Sequence, residues 1–344
     1  MKAARLHKDE TLLLIEEAEL PQISEGEALI DVLATGLCRT DLKIIHGFLP
    51  PPSYPHILGH EIAGRVVDAK PSNPMEKEAI ELIGRDQTVL AHFYVTCHTC
   101  RYCLGGRSNL CLSLRRLGFE LPGGYAEFVK VPITNLIATS LGGEAAVLTD
   151  AGATILHALR KSPPQAGEPV VVMGVGGLGS FAVQLASLMG GEVTALDVRD
   201  ESLSLAQRMG ANATLNVNGL SEKTIKENLL SIHGGRLPSL FLDLVGDRQS
   251  QQVAITTLAQ GGKLIQVGYA NVSYENVTPK DLVYKEIQMV GSRASTMNDL
   301  RDMVNLAESR QIKLEVTKRG LSEINGAIQD MEHNKTTGRI IIVP

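Results

Sequence analysis

The sequence predicts a two-domain α/β protein: a mostly β domain and a doubly wound parallel sheet. Three observations predict it. Short apolar runs broken by Gly and Pro fill residues 1–149, strand and helix patterns alternate through the middle third, and a glycine-rich turn follows the first strand of that alternation. A chain of 344 residues is also too long for one ordinary core, so two domains are expected.

In the first part, strand-length apolar runs occupy residues 28–33, 62–67, 88–92 and 125–131. Among them Asn73-Pro74-Met75-Glu76 has the signature of a helix start: Asn as cap, Pro at the first helical position, Glu three residues on. Gly84 should end that helix. The charged insertion 70–83 reads as a solvated surface helix without chemistry.

The middle third alternates. Strands are expected at 169–173, 193–196, 214–217, 240–244 and 262–267, with helices at 178–189, 201–209, 221–233 and 249–258 between them. Alternation at this spacing implies a parallel sheet covered by helices on both faces. Beyond residue 291 come a helix (298–309), a polar stretch, a second helix (322–332) and a last strand (339–343). That tail is too small to fold alone. The expected division is therefore a domain of residues 1–150 rejoined by 291–344, and a second of 151–290.

Hydrophobic content of 44% with 21% charge fits a soluble globular protein. A formal charge of -5 offers no basic field to nucleic acid or an anionic membrane. No apolar run approaches the roughly 20 residues that span a bilayer. The start, Met1-Lys2-Ala3-Ala4-Arg5-Leu6-His7, lacks the features of a signal peptide, so a cytoplasmic protein is expected. Four of the five cysteines fall between Cys97 and Cys111, and Cys38 stands alone. Such clustering points to metal or redox chemistry rather than to a disulfide framework.

Gly174-Val175-Gly176-Gly177-Leu178-Gly179 lies between a predicted strand and a predicted helix. Gly174 suits the tight turn, Gly176 the close approach of a pyrophosphate, and Gly179 the packing of helix on strand. Gly177 and Leu178 open the helix, whose free N–H groups and positive dipole end favour phosphate. Alone, such a motif is also compatible with a plain glycine-rich turn. Here Asp197 closes the next strand at the spacing of a ribose-binding carboxylate. A carboxylate accepts the 2′-hydroxyl and repels a 2′-phosphate, which favours NAD over NADP.

Cys97-x-x-Cys100-x-x-Cys103-x7-Cys111 places four thiolates within fifteen residues. Disulfides suit a reducing compartment poorly. An iron–sulfur run of the ferredoxin kind would bring the last Cys three residues on, followed by Pro, whereas here it comes after seven and precedes Leu112. A structural zinc fits better. With all four positions filled by protein, it would order the lobe 93–112 and leave no place for substrate.

Gly36-Leu37-Cys38-Arg39-Thr40-Asp41 and Gly59-His60-Glu61 set a thiol and an imidazole in two glycine-bearing segments. Singly, each has a plain reading as a small buried side chain or a hydrogen-bonded ring. Taken with the four-cysteine lobe and the Rossmann-type unit, in this order over essentially the whole chain, they resemble the zinc-containing medium-chain alcohol dehydrogenases.

The resemblance implies a GroES-like catalytic domain and two zinc ions per chain, one catalytic and one structural. Cys38, His60 and Asp150 correspond to catalytic zinc ligands, although Asp150 also precedes a helical stretch and could simply cap it. Glu61 resembles the glutamate that approaches the metal transiently. Thr40 resembles the hydroxyl that bonds the substrate oxygen, and His46 the relay histidine. Arg39 and Arg339 match positions that contact the cofactor pyrophosphate, or else make surface salt bridges.

The implied activity is NAD-linked oxidation of primary or secondary alcohols to aldehydes or ketones, and the reverse. Hydride would leave a zinc-bound alkoxide, the zinc acting as Lewis acid. The same machinery would serve a polyol, sugar or threonine-type dehydrogenase. A non-catalytic NAD(H)-binding relative would have lost ligands or relay residues, and these are present. His98 stands where relatives commonly carry Gly. The short connector from Cys111 to Gly123 favours a homotetramer, by analogy with relatives.

Overall fold

A computed structural model describes residues 1–344 apart from 85, 275 and 276. The chain divides into two compact units, one of residues 1–153, 295–310 and 314–344, the other of 154–294 and 311–313. Among the described residues no helix is long and apolar enough to cross a membrane.

The first unit is built on a sheet whose hydrogen-bonded order is Leu136–Thr139, Thr88–Ala91, Glu61–Lys70, Glu27–Leu37, Arg339–Val343 and Val316–Gly320, with Phe128–Pro132 also on Glu27–Leu37. The strand expected at 28–33 runs on through Leu37 because Ala34, Thr35 and Gly36 continue the extended, buried run. Its antiparallel register sets Gly36 opposite Glu61 on one side and opposite Ile341 on the other. A Cβ on Gly36 would meet Glu61 Oε2 at 2.0 Å and Glu61 Cβ at 2.9 Å, so any larger residue there would displace the Glu61 side chain. Register thus gathers three remote segments at one point.

The strand expected from residue 125 begins instead at Phe128. The N–H groups of Gly123, Gly124 and Tyr125 donate to the carbonyls of Ile57, Gly59 and Leu58. A Cβ on Gly123 would meet Gly59 O at 2.2 Å, so the two glycines let this stretch lie flat on the loop before His60. The charged helix forms as Pro74–Ile83, with Asn73 Oδ1 accepting from Glu76 N at 3.0 Å and Gly84 closing it at φ +69°.

The second unit holds a parallel sheet ordered Ala213–Asn216, Glu192–Asp197, Pro169–Met173, Leu240–Asp243, Lys263–Gln266 and Gln288–Gly291. Its inner strands are buried on both faces: Val171, Leu196, Phe241 and Leu264 share a core with Leu229 and Val253 from the covering helices. The sequence expectation ended this alternation one strand early. Helix Pro279–Lys285 and strand Gln288–Gly291 extend it, and the strand escaped notice because it is a short, mostly exposed edge. Lys313 N donates to Gln184 Oε1 at 2.8 Å, which keeps 311–313 with this unit.

Candidate active site

Helix Arg39–Ile45 begins at Cys38, whose backbone is extended (φ -123°, ψ 149°). The Asp41 carboxylate, in the first turn, accepts from Cys38 N at 2.9 Å and so fixes the residue that precedes its own helix. The Cys38 thiol then lies 3.5 Å from Thr40 Oγ1 and 3.7 Å from Asp150 Oδ2.

His60 follows Gly59, which turns at φ +90°. Its ring stands between Phe93 and Phe119, with centroids 5.2 Å from each. Nε2 is 3.5 Å from Asp150 Oδ2, and Nδ1 is 3.4 Å from Asp41 Oδ1. Burial disfavours a charged imidazole, but Asp41, Asp150 and Cys38 outweigh it and hold the His60 pKa well above its usual value.

Glu61 is fully buried, its Oε1 accepting from Arg339 Nη2, while Oε2 has no hydrogen-bond partner among the described residues. Burial pushes its carboxyl upward, with the Arg339 guanidinium opposing that shift. One donor atom each from Cys38, His60, Glu61 and Asp150 lies within 4.8 Å of the others. A buried gathering of sulfur, imidazole and two carboxylates, one oxygen of which is orphaned, is costly unless a cation joins it. The donor types are those that zinc prefers. The residues fit the metal.

The other predicted residues fall into place around this centre or away from it. His46 ends the helix that Cys38 begins, 40% exposed, with Nε2 2.8 Å from Glu332 Oε1. Arg39 is exposed and donates to Asn334 Oδ1. Arg339, assigned by resemblance to a pyrophosphate, is buried, and any such contact would have to use N–H groups other than the one given to Glu61. Phe93 and Phe119, too scattered in sequence to assign, turn out to flank the imidazole, whereas Phe48 is 68% exposed.

The four-cysteine lobe closes on itself. Cys97 Sγ is 3.5 Å from Cys111 Sγ and 4.0 Å from Cys103 Sγ, and Cys100 Sγ is 3.6 Å from Cys103 Sγ. Backbone N–H groups of Thr99 and Cys100 draw the Cys97 thiol down to about 5, while desolvation and neighbouring thiols push Cys103 up to about 12. All the cysteines are free thiols. His98 takes the left-handed φ of +57°, the conformation a glycine would reach with least strain.

In the second unit Gly174 turns at φ +92°. A Cβ on Gly179 would meet Gly174 O at 2.2 Å, whereas one on Gly176 would meet nothing within 4 Å. The turn is thus packed beneath and open above, where helix Gly177–Leu188 starts. Asp197 Oδ2 accepts from Val175 N at 2.7 Å and Oδ1 from Arg199 N at 3.0 Å. Each oxygen retains a further lone pair for a hydroxyl.

Two residues given no role by the sequence belong to the site. Asp41 was visible in principle, as an acidic residue in the first turn of a helix that starts at Cys38. Tyr125 gave no signal, because its place depends on how residues 123–125 pack.

Residues 24–140 match the family described as alcohol dehydrogenase GroES-like domain, and residues 177–309 match zinc-binding dehydrogenase. An alcohol dehydrogenase of Geobacillus stearothermophilus is 33% identical over 349 residues, covering 99% of this chain and 98% of that one. An NAD-dependent alcohol dehydrogenase of Sulfolobus acidocaldarius is 30% identical over 362 residues, with 99% of each chain covered. Among solved structures, the alcohol dehydrogenase of Aeropyrum pernix superposes with a TM-score of 0.90 at 30% identity, covering 100% of both chains.

Proposed function

Since this chain belongs to the zinc-binding, GroES-like alcohol dehydrogenase family, we propose that Cys38, His60 and Asp150 hold its catalytic zinc and that Glu61 stands beside them as an exchangeable fourth donor. The observation that carries this reading is the convergence of these four donors within 4.8 Å. The four lobe cysteines hold the structural zinc. When bound, the catalytic metal supplies the Lewis acidity that loosens an alcohol proton, and the nicotinamide supplies the hydride acceptor.

The chain's own residues do the rest. Thr40, 3.5 Å from the Cys38 sulfur, offers a hydroxyl that accepts the proton of an incoming alcohol while passing on its own. His46 receives that proton further along the relay and, half in solvent, releases it. Phe93 and Phe119 shield the imidazole from water. Gly174, Gly176, Gly177, Leu178 and Gly179 cradle the pyrophosphate, and Asp197 takes the ribose hydroxyl, which supports NAD over NADP. By the family resemblance Arg39, and Arg339 through its remaining N–H groups, are proposed as pyrophosphate contacts.

The substrates proposed are primary or secondary alcohols and the matching aldehydes or ketones. Free cysteines in a tight cluster support a cytoplasmic enzyme, and the short connector after Cys111 supports a tetramer. Zinc quantification with a substrate screen that follows NADH absorbance tests the core of this reading. About two zincs per chain with alcohol-dependent NADH formation is the expected result. A single zinc, with no turnover of any alcohol or carbonyl compound, would overturn it.

A further inference from the structure

We propose that Tyr125 is a positioning residue of the catalytic centre, its hydroxyl holding the Asp41 carboxylate in the orientation that aims both Cys38 and His60 at the metal. The proposal rests on the ligand assignment above.

Tyr125 is completely buried, and a buried phenol must give its O–H to an acceptor. The hydroxyl is 2.8 Å from Asp41 Oδ2 and 3.3 Å from Gly36 O. Asp41 is equally buried, and its two oxygens have different neighbours. Oδ2 also receives the Cys38 backbone N–H at 2.9 Å, and Oδ1 stands 3.4 Å from His60 Nδ1. At 3.4 Å the contact is an ion pair rather than a closed hydrogen bond, yet a carboxylate on that side favours a proton on Nδ1 and so leaves the Nε2 lone pair on the side of Cys38 and Asp150. The carboxylate therefore sets the direction of one ligand through its backbone and of the other through its ring. The phenol fixes the carboxylate.

The ring contributes independently. A Cβ on Gly59 would meet Tyr125 Cδ1 at 2.8 Å, so the aromatic face lies on the backbone just before His60. Tyr125 N donates to Leu58 O at 3.0 Å, binding the same loop. One residue thus braces both ligand-bearing segments, by its ring on one side and its hydroxyl on the other. Tyr125→Phe keeps the ring and removes only the hydroxyl. It leaves Asp41 with the backbone N–H alone to hold Oδ2.

The test compares the parent enzyme with Tyr125→Phe, Asp41→Asn and the double variant. Two quantities are read: the rate at which zinc passes from each enzyme to 1,10-phenanthroline, and the visible spectrum after replacement by Co²⁺. Outer partners of ligating histidines are worth about 10–100-fold in metal affinity, so Tyr125→Phe should lose one of two zincs about tenfold faster than the parent. Its cobalt bands should move. The double variant should lose zinc no faster than Asp41→Asn, because the phenol acts through that carboxylate. The second zinc, in the lobe, should stay.

Parent-like release by Tyr125→Phe overturns the proposal. So does a double variant in which the two effects multiply, since the hydroxyl would then act without Asp41, for instance through Gly36 O. Loss of both zincs together would assign Tyr125 to the fold alone and also overturn it. A parent that holds one zinc sinks the functional reading itself, and this proposal with it.

Discussion

Among the described residues the first unit carries two clusters of four side chains that could hold a metal ion, and they are made in opposite ways. The lobe uses four identical sulfurs from Cys97 to Cys111, three of them partly exposed and Cys111 buried. The candidate catalytic centre uses sulfur, imidazole and two carboxylates drawn from residues 38 to 150, buried except for the partly exposed Asp150, and wrapped by Asp41, Arg339 and two aromatic rings. Its shape comes from the surrounding fold, so its metal is not needed to create it. In the lobe, on the reading proposed above, a bound metal would supply much of the order. The difference shows why a closed sulfur site serves architecture and a mixed, protein-supported site serves chemistry.

Several variants would break or sharpen that contrast. The largest effect is expected from Cys38→Ser: turnover should fall at least ~10³-fold as Lewis acidity is lost, while the lobe keeps its zinc. Activity within tenfold of the parent, measured by NADH formation, would erase the functional half of the comparison. Cys100→Ser should do the reverse. Melting should drop by about 10 °C, taking ~3 kcal/mol for a lost staple and a few degrees per kcal/mol, while turnover at low temperature survives. A melting curve that matched the parent's would mean the lobe folds without metal.

Asp150→Asn should speed loss of the catalytic zinc by about 100-fold, and Glu61→Gln by only a few-fold, as chelator kinetics would read. Equal effects would make Glu61 a full ligand. The smallest effect concerns protons. In the metal-free lobe the Cys97 pKa lies at about 5 against an ordinary 9.0, so its stabilisation is complete above the ordinary value and fades as pH falls towards 5. Iodoacetamide at pH 7 should therefore mark Cys97 first and Cys103, pushed up to about 12, last. Peptide mapping that found the opposite order would contradict the lobe's internal hydrogen bonding.

The same contrast explains what could be read from the sequence. The lobe is legible because its ligands are near neighbours, and spacing alone carries the geometry. Cys38, His60 and Asp150 are separated by strands whose register no spacing reveals, and only the family resemblance joined them. Gly36 looks like any turn glycine until the register sets it against Glu61. Tyr125 was read as part of a strand that in fact starts at Phe128. In the second unit the buried strands announced themselves by unbroken apolar runs, such as Val170-Val171-Val172. The edge strand Gln288–Gly291, open to solvent, carries no such pattern.

The bond from Arg339 to Glu61 has a consequence for biogenesis. Arg339 opens a strand that inserts beside Leu37, yet it leaves the ribosome long after Cys38, His60 and Glu61 have emerged. Until it docks, Glu61 is an acid without its cation, in a crevice that water can still reach. A nascent chain can therefore finish its four-cysteine lobe early, but the pocket around Glu61 is sealed only once the segment carrying Arg339 has emerged and paired with Glu27–Leu37.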